Sequence, residues 1–232
     1  MPKKEKIREM FDGIAPSYDR LNHIMSLNVD KVWRRHALKQ IVDGTPQRLL
    51  DVACGTGDST ISAAVAAAEG SVVTGVDISE GMMALVMDKA RKAGVADRIR
   101  LQVADGEALP FADGSFHRVT CAFGIRNFEH KEKGLAEFRR VLCPGGRAVI
   151  LELSVPQNRV IRWFYDLYFL HVLPWIGGVV SGDKAAYKYL PASVHAFPAP
   201  GEFCTMMREA GFSRVSHKAF TLGLCRMYVG EV

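Results

Sequence analysis

The feature that most constrains the fold is a regular alternation of strand-like and helix-like segments, from Arg48 almost to the end of the chain. Apolar, often β-branched segments predict five strands, at 48–53, 71–77, 98–104, 118–123 and 147–153. The intervening and following segments predict helices at 59–69, 79–93, 131–142 and 201–210. Strands that alternate with helices at this spacing predict a parallel sheet with right-handed crossovers.

Two longer regions interrupt this alternation. Residues 1–45 form a helical extension before the first strand, and residues 154–198 form a long insertion before the last helix. A pair of strands, 213–220 and 226–229, is predicted to close the chain. We expect one domain over 1–232, in which 1–45 is an N-terminal helical lid and 154–198 covers the substrate site. The simpler alternative is that both regions only extend the fold.

Charge and cysteine content exclude several classes of protein. The net charge is +5, but the basic residues are dispersed and form no long tract, so no nucleic-acid partner is expected. The five cysteines are odd in number and none lie at Cys-x-x-Cys spacing, which predicts neither a disulfide framework nor a metal site. No signal peptide is recognisable, and no stretch reaches the roughly 18 apolar residues of a spanning helix. A cytoplasmic location is therefore expected.

The loop after the first strand carries two glycines, Gly55 and Gly57, which allow the backbone to turn sharply beside a ligand. Dinucleotide-binding enzymes also use such loops. Here Thr60 stands in place of their third glycine, and Asp58 stands at the helix N-terminus, where it would repel a pyrophosphate. A ligand with a sulfonium and an ammonium group is compatible with that carboxylate. The loop therefore predicts S-adenosylmethionine as cofactor, with S-adenosylhomocysteine as product.

Acidic residues stand at three consecutive strand ends, the first of them in the segment from Asp51 to Asp58. Asp77 lies 20 residues after Gly57, a spacing suited to a ribose ligand, and Asp105 could accept a hydrogen bond from an adenine amine. Each acid could instead cap a helix or a turn, but that role does not account for the set. The predicted cofactor site comprises Asp51, Gly55, Thr56, Gly57, Asp77, Ile78, Asp105 and Gly106.

Several segments outside this loop share a more specific pattern. They are 10–22 with Met25-Ser26 and Trp33-Arg34, 123–127, 144–146 with 152–154, and 187–191 with Phe197-Pro198. Over roughly Ile7 to the end, the chain resembles the menaquinone/ubiquinone-biosynthesis C-methyltransferases. It departs from their pattern at Cys54, at His130-Lys131 and at Leu153. Cys54 is small enough to leave the glycine loop intact.

The resemblance implies a Rossmann-like class I methyltransferase fold. This is an α/β fold with a mainly parallel seven-stranded sheet, helices on both faces and an antiparallel last strand. It also implies methyl transfer from S-adenosylmethionine to a ring carbon of a polyprenyl quinol. The expected substrate is demethylmenaquinol, and the alternative is the methoxybenzoquinol of the ubiquinone pathway.

Methylation of a ring carbon is favoured when a phenolic oxygen loses its proton, because the ortho carbon then becomes more nucleophilic. Arg126, after the fourth strand, is expected to stabilise this phenolate or to hold the water that takes its proton. Asn127 is expected to orient the ring oxygen, and Tyr18 and Asp19 to close the lid over the methionine part of the cofactor. A surface salt bridge or a helix-terminal position is the alternative role for Arg126, and packing of the lid is the alternative for Tyr18.

Other interpretations stay open for the histidines and for the aromatic insertion. The alternative bases are His130, His171 and His195. The aromatic stretch 160–176 is suited to a wall for the polyprenyl tail or to shallow, peripheral contact with the inner face of the cell membrane. Core packing and a homodimer interface are its other interpretations.

Three other functions fit the sequence less well than quinol methylation. An RNA methyltransferase would carry an Asn/Asp-Pro-Pro-Tyr motif after the fourth strand, where this chain has Phe-Gly-Ile-Arg-Asn. A nicotinamide dehydrogenase is disfavoured by Asp58 and Thr60. A protein that only binds the cofactor or a quinone would show ligand binding without turnover, and the intact acidic positions together with the Arg126-Asn127 pair argue against it.

Overall fold

A seven-stranded sheet forms the centre of the computed structural model, which describes residues 4–26, 28–167 and 184–232. The strands are β1 Arg48–Val52, β2 Val72–Asp77, β3 Ile99–Val103, β4 Phe116–Ala122, β5 Leu142–Leu153, β6 Arg214–Phe220 and β7 Cys225–Glu231. Their order in the sheet is β3-β2-β1-β4-β5-β7-β6. Only β7 runs antiparallel to its neighbours β5 and β6, so the predicted mainly parallel sheet with an antiparallel last strand is confirmed.

Helices cover both faces of this sheet. They are α1 Lys4–Met25, α2 Val29–Ile41, α3 Asp58–Ala66, α4 Glu80–Met83, α5 Val86–Lys92, α6 Lys131–Val141, α7 Arg159–Leu167, α8 Lys184–His195 and α9 Pro200–Glu209. No helix within the described ranges is long and apolar enough to cross a membrane. Part of the predicted insertion, residues 168–183, lies outside the described residues.

Side-chain alternation along the central strand divides the core into two clusters. Leu50 packs with residues of α6 and α9, such as Phe138 and Phe203. Its neighbour Leu49 packs with residues of α2 and α3, such as Trp33 and Ala63. Because successive strand residues point to opposite faces, one short apolar strand anchors both helical layers.

Most predicted elements match the structure to within three residues at each end, and two differ by more. The helix expected at 79–93 is split into α4 and α5, because the chain tightens at Leu85, whose N–H bonds to the Met82 carbonyl only three residues back. Strand β5 begins at Leu142 rather than at Arg147. Its pairing with β4 shifts register between these two residues, so the proline and glycines at 144–146 bulge out of the ladder.

Candidate active site

A cleft opens at the carboxyl ends of the parallel strands, where an open α/β sheet binds its ligands. Strand ends, the loops after them and helix α1 supply its walls. It is lined by Lys4, Ile7, Phe11, Tyr18, Ala53, Gly55, Asp77, Ile78, Met82, Ala104, Asp105, Gly106, Glu107, Ala122, Phe123, Gly124, Asn127 and Phe128. Most of the predicted site residues therefore meet around one space.

The glycine loop leaves β1 through a backbone that ordinary side chains rarely adopt. Ala53 has a φ of 55°, and Gly55 and Gly57 have φ values of 53° and 85°. A Cβ on Gly57 would lie 2.6 Å from a methyl group of Val86, so the loop and α5 could not approach as they do. The loop is thus shaped by backbone strain and close packing beside the cleft.

Asp77 fastens this loop to the end of β2. One of its carboxylate oxygens accepts the Gly55 N–H at 2.8 Å, and the other accepts the Ser79 N–H at 2.9 Å. Burial raises the pKa of Asp77 above its usual range, although these backbone donors act in the opposite direction. A carboxylate offers about four lone pairs, so Asp77 can accept a hydroxyl donor from a ligand beside the backbone donors that it already has.

Asp105 lies on the same wall of the cleft and is bonded to the N-terminal helix. The Lys4 ammonium donates to Asp105, and Lys4 Nζ lies 3.5 Å from Glu107 Oε2. Burial alone would lower the pKa of Lys4, but the hydrogen bond and charge of Asp105 outweigh it and the pKa is raised. A cationic N–H donor of the protein thus occupies the acceptor that the sequence assigned to an adenine amine.

Three other predicted cofactor residues lie behind this lining. Asp51 is buried beneath the loop and accepts from Thr60 Oγ1 at 2.6 Å. Burial raises the pKa of Asp51 to about 7, and its second oxygen has no hydrogen-bond partner among the described residues. Thr56 donates to Asp19 of α1, and Gly57 contacts α5 through the close packing described above. These residues shape the loop from behind.

Helix α1 is tied to the loops after the first three strands. Asp19 accepts from Thr56 in the glycine loop and, at 2.8 Å, from Lys89 of α5. Asp12 accepts from the Ser79 hydroxyl and from the Gly81 N–H after β2. With Lys4 at Asp105, these contacts hold the helix across the edge of the sheet, with Tyr18 on the cleft lining.

Lys89 pairs with Asp58 at the start of α3, which alters the electrostatic role that the sequence predicted for Asp58. Lys89 Nζ forms a salt bridge with Asp58 as well as with Asp19. The Asp58 charge is therefore balanced within the protein, and Asp58 is not among the lining residues. Direct attraction between Asp58 and a cationic ligand, on which the sequence-based preference for a sulfonium rested, is weakened accordingly.

Arg126 lies in a short 3₁₀ turn, Ile125–Asn127, directly after β4. It is 5% exposed, and its Nη1 donates to Glu152 Oε1 at 2.8 Å and to the Phe123 carbonyl. Its backbone N–H donates to the other Glu152 oxygen at 3.1 Å. Burial would lower the pKa of Arg126, but the Glu152 charge outweighs it, so the pKa is raised and the guanidinium stays cationic. Arg126 thus lies just behind the lining.

Asn127, its neighbour, lies on the cleft lining itself. Asn127 Oδ1 accepts from the Tyr189 hydroxyl of α8 at 2.9 Å. A Cβ on Gly124 would lie 2.4 Å from the Ala53 side chain, so the turns after β1 and β4 meet only because Gly124 has none. The amide of Asn127 is thereby fixed beside the glycine loop.

Glu152, which the sequence analysis included only as part of the segment 152–154 and not as a site residue, is the buried partner of Arg126. It is fully buried and accepts three N–H donors, two from Arg126 and one from its neighbour Leu153. It ends the buried part of β5, so the rule that selected Asp77 at a strand end could have selected it too. Nothing in the sequence indicated the contact of Lys4 with Asp105, which joins residues 101 positions apart.

The alternative bases lie elsewhere. His130 is exposed and its Nδ1 lies 3.2 Å from Glu132, and His195 Nε2 lies 3.4 Å from Asp166 of α7. Neither lines the cleft. His171 lies outside the described residues.

Comparison with known proteins shows the family. The model of the ubiE/COQ5 methyltransferase family matches residues 1–231. A ubiquinone/menaquinone biosynthesis C-methyltransferase UbiE from Geobacter sulfurreducens is 48% identical over 229 residues, 99% of this chain and 89% of the relative. Demethylmenaquinone methyltransferases from Bacteroides fragilis and Thermus thermophilus are 42% and 45% identical, over 97% and 96% of this chain and 92% and 99% of theirs.

Solved structures agree on the fold. The [4+2]-cyclase SpnF superposes with a TM-score of 0.72 at 18% identity, covering 96% of this chain and 77% of that one. A SAM-dependent methyltransferase from Thermotoga maritima gives 0.67 at 18% identity, covering 96% and 98%. The Rossmann-like class I fold is confirmed, and the resemblance seen in the sequence is confirmed with it. The chain belongs to the ubiE/COQ5 methyltransferase family.

Proposed function

We propose that this chain transfers a methyl group from S-adenosylmethionine to a ring carbon of demethylmenaquinol. Relatives named for demethylmenaquinone methylation match it over nearly their whole length. The observation that carries the assignment is the single cleft that brings the carboxylates after β2 and β3 together with Asn127 after β4. The same cleft suits a benzoquinol of the ubiquinone pathway, which the name of the Geobacter relative includes.

The cleft fits the nucleoside part of this cofactor. Asp77 can accept a ribose hydroxyl, and Ile78 and Met82 offer apolar surface beside it. An adenine amine would take the place of the Lys4 ammonium at Asp105. Gly106 has to be glycine, because a Cβ there would lie 2.3 Å from the Phe128 ring. The cofactor, when bound, supplies an electrophilic methyl carbon that needs no further activation.

Arg126 and Asn127, which follow β4, would stabilise the negative charge that develops on the quinol oxygen. Arg126 stays cationic against Glu152, and its Nε has no hydrogen-bond partner among the described residues. Glu152 balances much of the Arg126 charge, so that Nε N–H just behind the lining is what favours a phenolate over a phenol, and Asn127 can hold the ring oxygen from its place on the lining. Arg126 is too basic to take the proton itself, so water is the expected acceptor. Tyr18 on α1 would close the cleft against bulk water.

A polyprenyl quinol resides in a bilayer, so the protein has to meet its substrate there. We place the enzyme on the cytoplasmic side, in peripheral contact with the membrane, with no role for nucleic acid. The aromatic insertion is the expected contact, and a homodimer through it is the alternative.

The decisive experiment follows radiolabelled methyl from S-adenosylmethionine into chemically reduced demethylmenaquinol with a short prenyl tail. The oxidised quinone should take up no label, because its ring is electron-poor. Arg126→Ala should lower kcat by roughly 10²–10³-fold, the usual effect of removing a fixed donor to developing negative charge. Arg91→Ala, at an exposed arginine also paired with an acid, is the matched control and should be unchanged.

Circular dichroism and cofactor affinity show whether the Arg126→Ala protein is folded. Full activity in that folded variant would remove Arg126 from the reaction. Label in a reduced demethyl benzoquinol, with none in the naphthoquinol, would move the assignment to the ubiquinone pathway.

A further inference from the structure

Helix α7 carries a concentrated apolar surface. Val160, Trp163, Phe164 and Leu167 are 66%, 62%, 60% and 46% exposed. At about 100° per residue, these positions fall within an arc of about 100° on the helix. The Trp163 and Phe164 rings contact each other edge to face, at 4.9 Å between centroids. This surface, which we call the α7 face, is a continuous stripe rather than a scatter of single exposed side chains.

The opposite side of α7 packs toward the candidate active site. Tyr165 is buried and contacts the His195 ring of α8 edge to face, at 6.1 Å between centroids. Helix α8 also carries Tyr189, which donates to Asn127 on the cleft lining. One helix therefore joins the α7 face to the wall that holds the substrate ring.

The charges beside the α7 face identify its partner. Arg159 begins the helix next to Trp163 on the helical projection, whereas Arg162, within one turn of it, is paired with Asp166 at 3.8 Å. The whole chain carries a net charge of +5. Tryptophan and phenylalanine flanked by arginine suit the boundary between acyl chains and anionic headgroups.

We propose that the α7 face docks on a bilayer that contains anionic lipids and holds the chain where a prenylated substrate can enter the cleft. This inference rests on the proposed function for the identity of the substrate. The docking itself is independent of catalysis and can be measured without substrate.

The first test is cosedimentation with vesicles of phosphatidylglycerol and phosphatidylcholine, compared with phosphatidylcholine alone. The wild-type chain should bind the anionic vesicles more tightly, and added salt should weaken the binding. The double variant Trp163→Ser/Phe164→Ser should lose about tenfold or more in partition coefficient for each ring removed. Arg159→Glu should weaken binding to anionic vesicles alone. Val65→Ser, at a 59% exposed valine on α3, should have no effect.

The second test separates docking from chemistry. The Trp163/Phe164 variant should methylate a water-soluble, short-tailed quinol at the wild-type rate, but should lose activity on a long-tailed quinol embedded in vesicles. Methylation of neither quinol by the wild type, with vesicle binding that still depends on the two rings, would refute the proposed function and leave the docking intact.

Equal vesicle binding by wild type and double variant, or none by either, would overturn the proposal. Sedimentation velocity tests the alternative that a second copy of the chain covers the α7 face. A wild-type dimer that the double substitution turns into a monomer would assign the face to that second copy. Thermal melting confirms that the variant is folded in every arm.

Discussion

Glu152 and Arg126 form a buried ion pair whose geometry leaves little tolerance for change. Glu152 accepts three N–H donors, and removal of its charge would leave a buried guanidinium with a neutral neighbour. Breaking such a pair from one side is costly because the remaining charge stays desolvated. The contribution of Glu152 is therefore to hold the Arg126 side chain in place behind the cleft.

We expect Glu152→Gln to lower the free energy of unfolding by about 3 kcal/mol, because an amide offers one acceptor oxygen to three donors. Arg126→Met should be costly for the same reason. The double variant should cost less than the sum of the two, because neither charge is then left without its partner. Urea unfolding of all four proteins measures this coupling, and strictly additive losses would show that the pair is not a unit.

At the scale of elements, α1 is held over the cleft by polar contacts rather than by a deep core. Its anchors at Asp12 and Asp19 lie on either side of Pro16, which lacks the N–H that would bond to the Asp12 carbonyl. A helix interrupted between its two anchors can release them separately. Such an element belongs to the low-stability end of the molecule, as ligand-covering segments generally do.

Asp12→Ala should detach the middle of α1 from Ser79 and Gly81. We expect faster tryptic cleavage within residues 4–25 and a several-fold weaker affinity for the cofactor, while the sheet stays folded. Glu9→Ala, at an exposed acid of the same helix, is the matched control. Unchanged cleavage and affinity in the Asp12 variant would mean that these bonds do not hold the helix.

At the scale of the whole molecule, the buried acid beneath the glycine loop links stability to pH. Asp51 lies in the central strand, and burial raises its pKa to about 7 from a usual value of 3.8. The folded state therefore keeps a proton that the unfolded chain has already released. Stability is favoured below the lower pKa and declines as the pH rises toward the folded pKa.

Asp51→Asn should remove this decline. Between about pH 4 and pH 7 the wild type should lose up to about 1.4 kcal/mol per pH unit relative to the variant, and the difference should level off above that range. Urea unfolding across this range measures it. Asp88→Asn, at an exposed acid, should follow the wild type. A constant difference between wild type and Asp51→Asn would mean that Asp51 is ionised throughout.

Local patterns in the sequence were sufficient for a parallel α/β sheet, the strand positions and the glycine loop, because residues close together in the chain determine strand, turn and helix. The antiparallel last strand was expected only from the family resemblance. Local patterns also placed Asp77 and Asp105 at one edge, since parallel strands end on the same side. Cofactor and acceptor roles for the site residues stay predictions.

Tertiary structure alone decided which groups lie at the surface of the cleft and which lie behind it. Arg126 bonds to Glu152 across 26 residues, and Lys4 meets Asp105 across 101. The charge of Asp58 is balanced by its salt bridge with Lys89. Electrostatics and burial depend on distances through space, and no local pattern specifies them. The sequence by itself therefore determined at which edge of the sheet the candidate site lies. Only tertiary packing determined which side chains are positioned to take part in it.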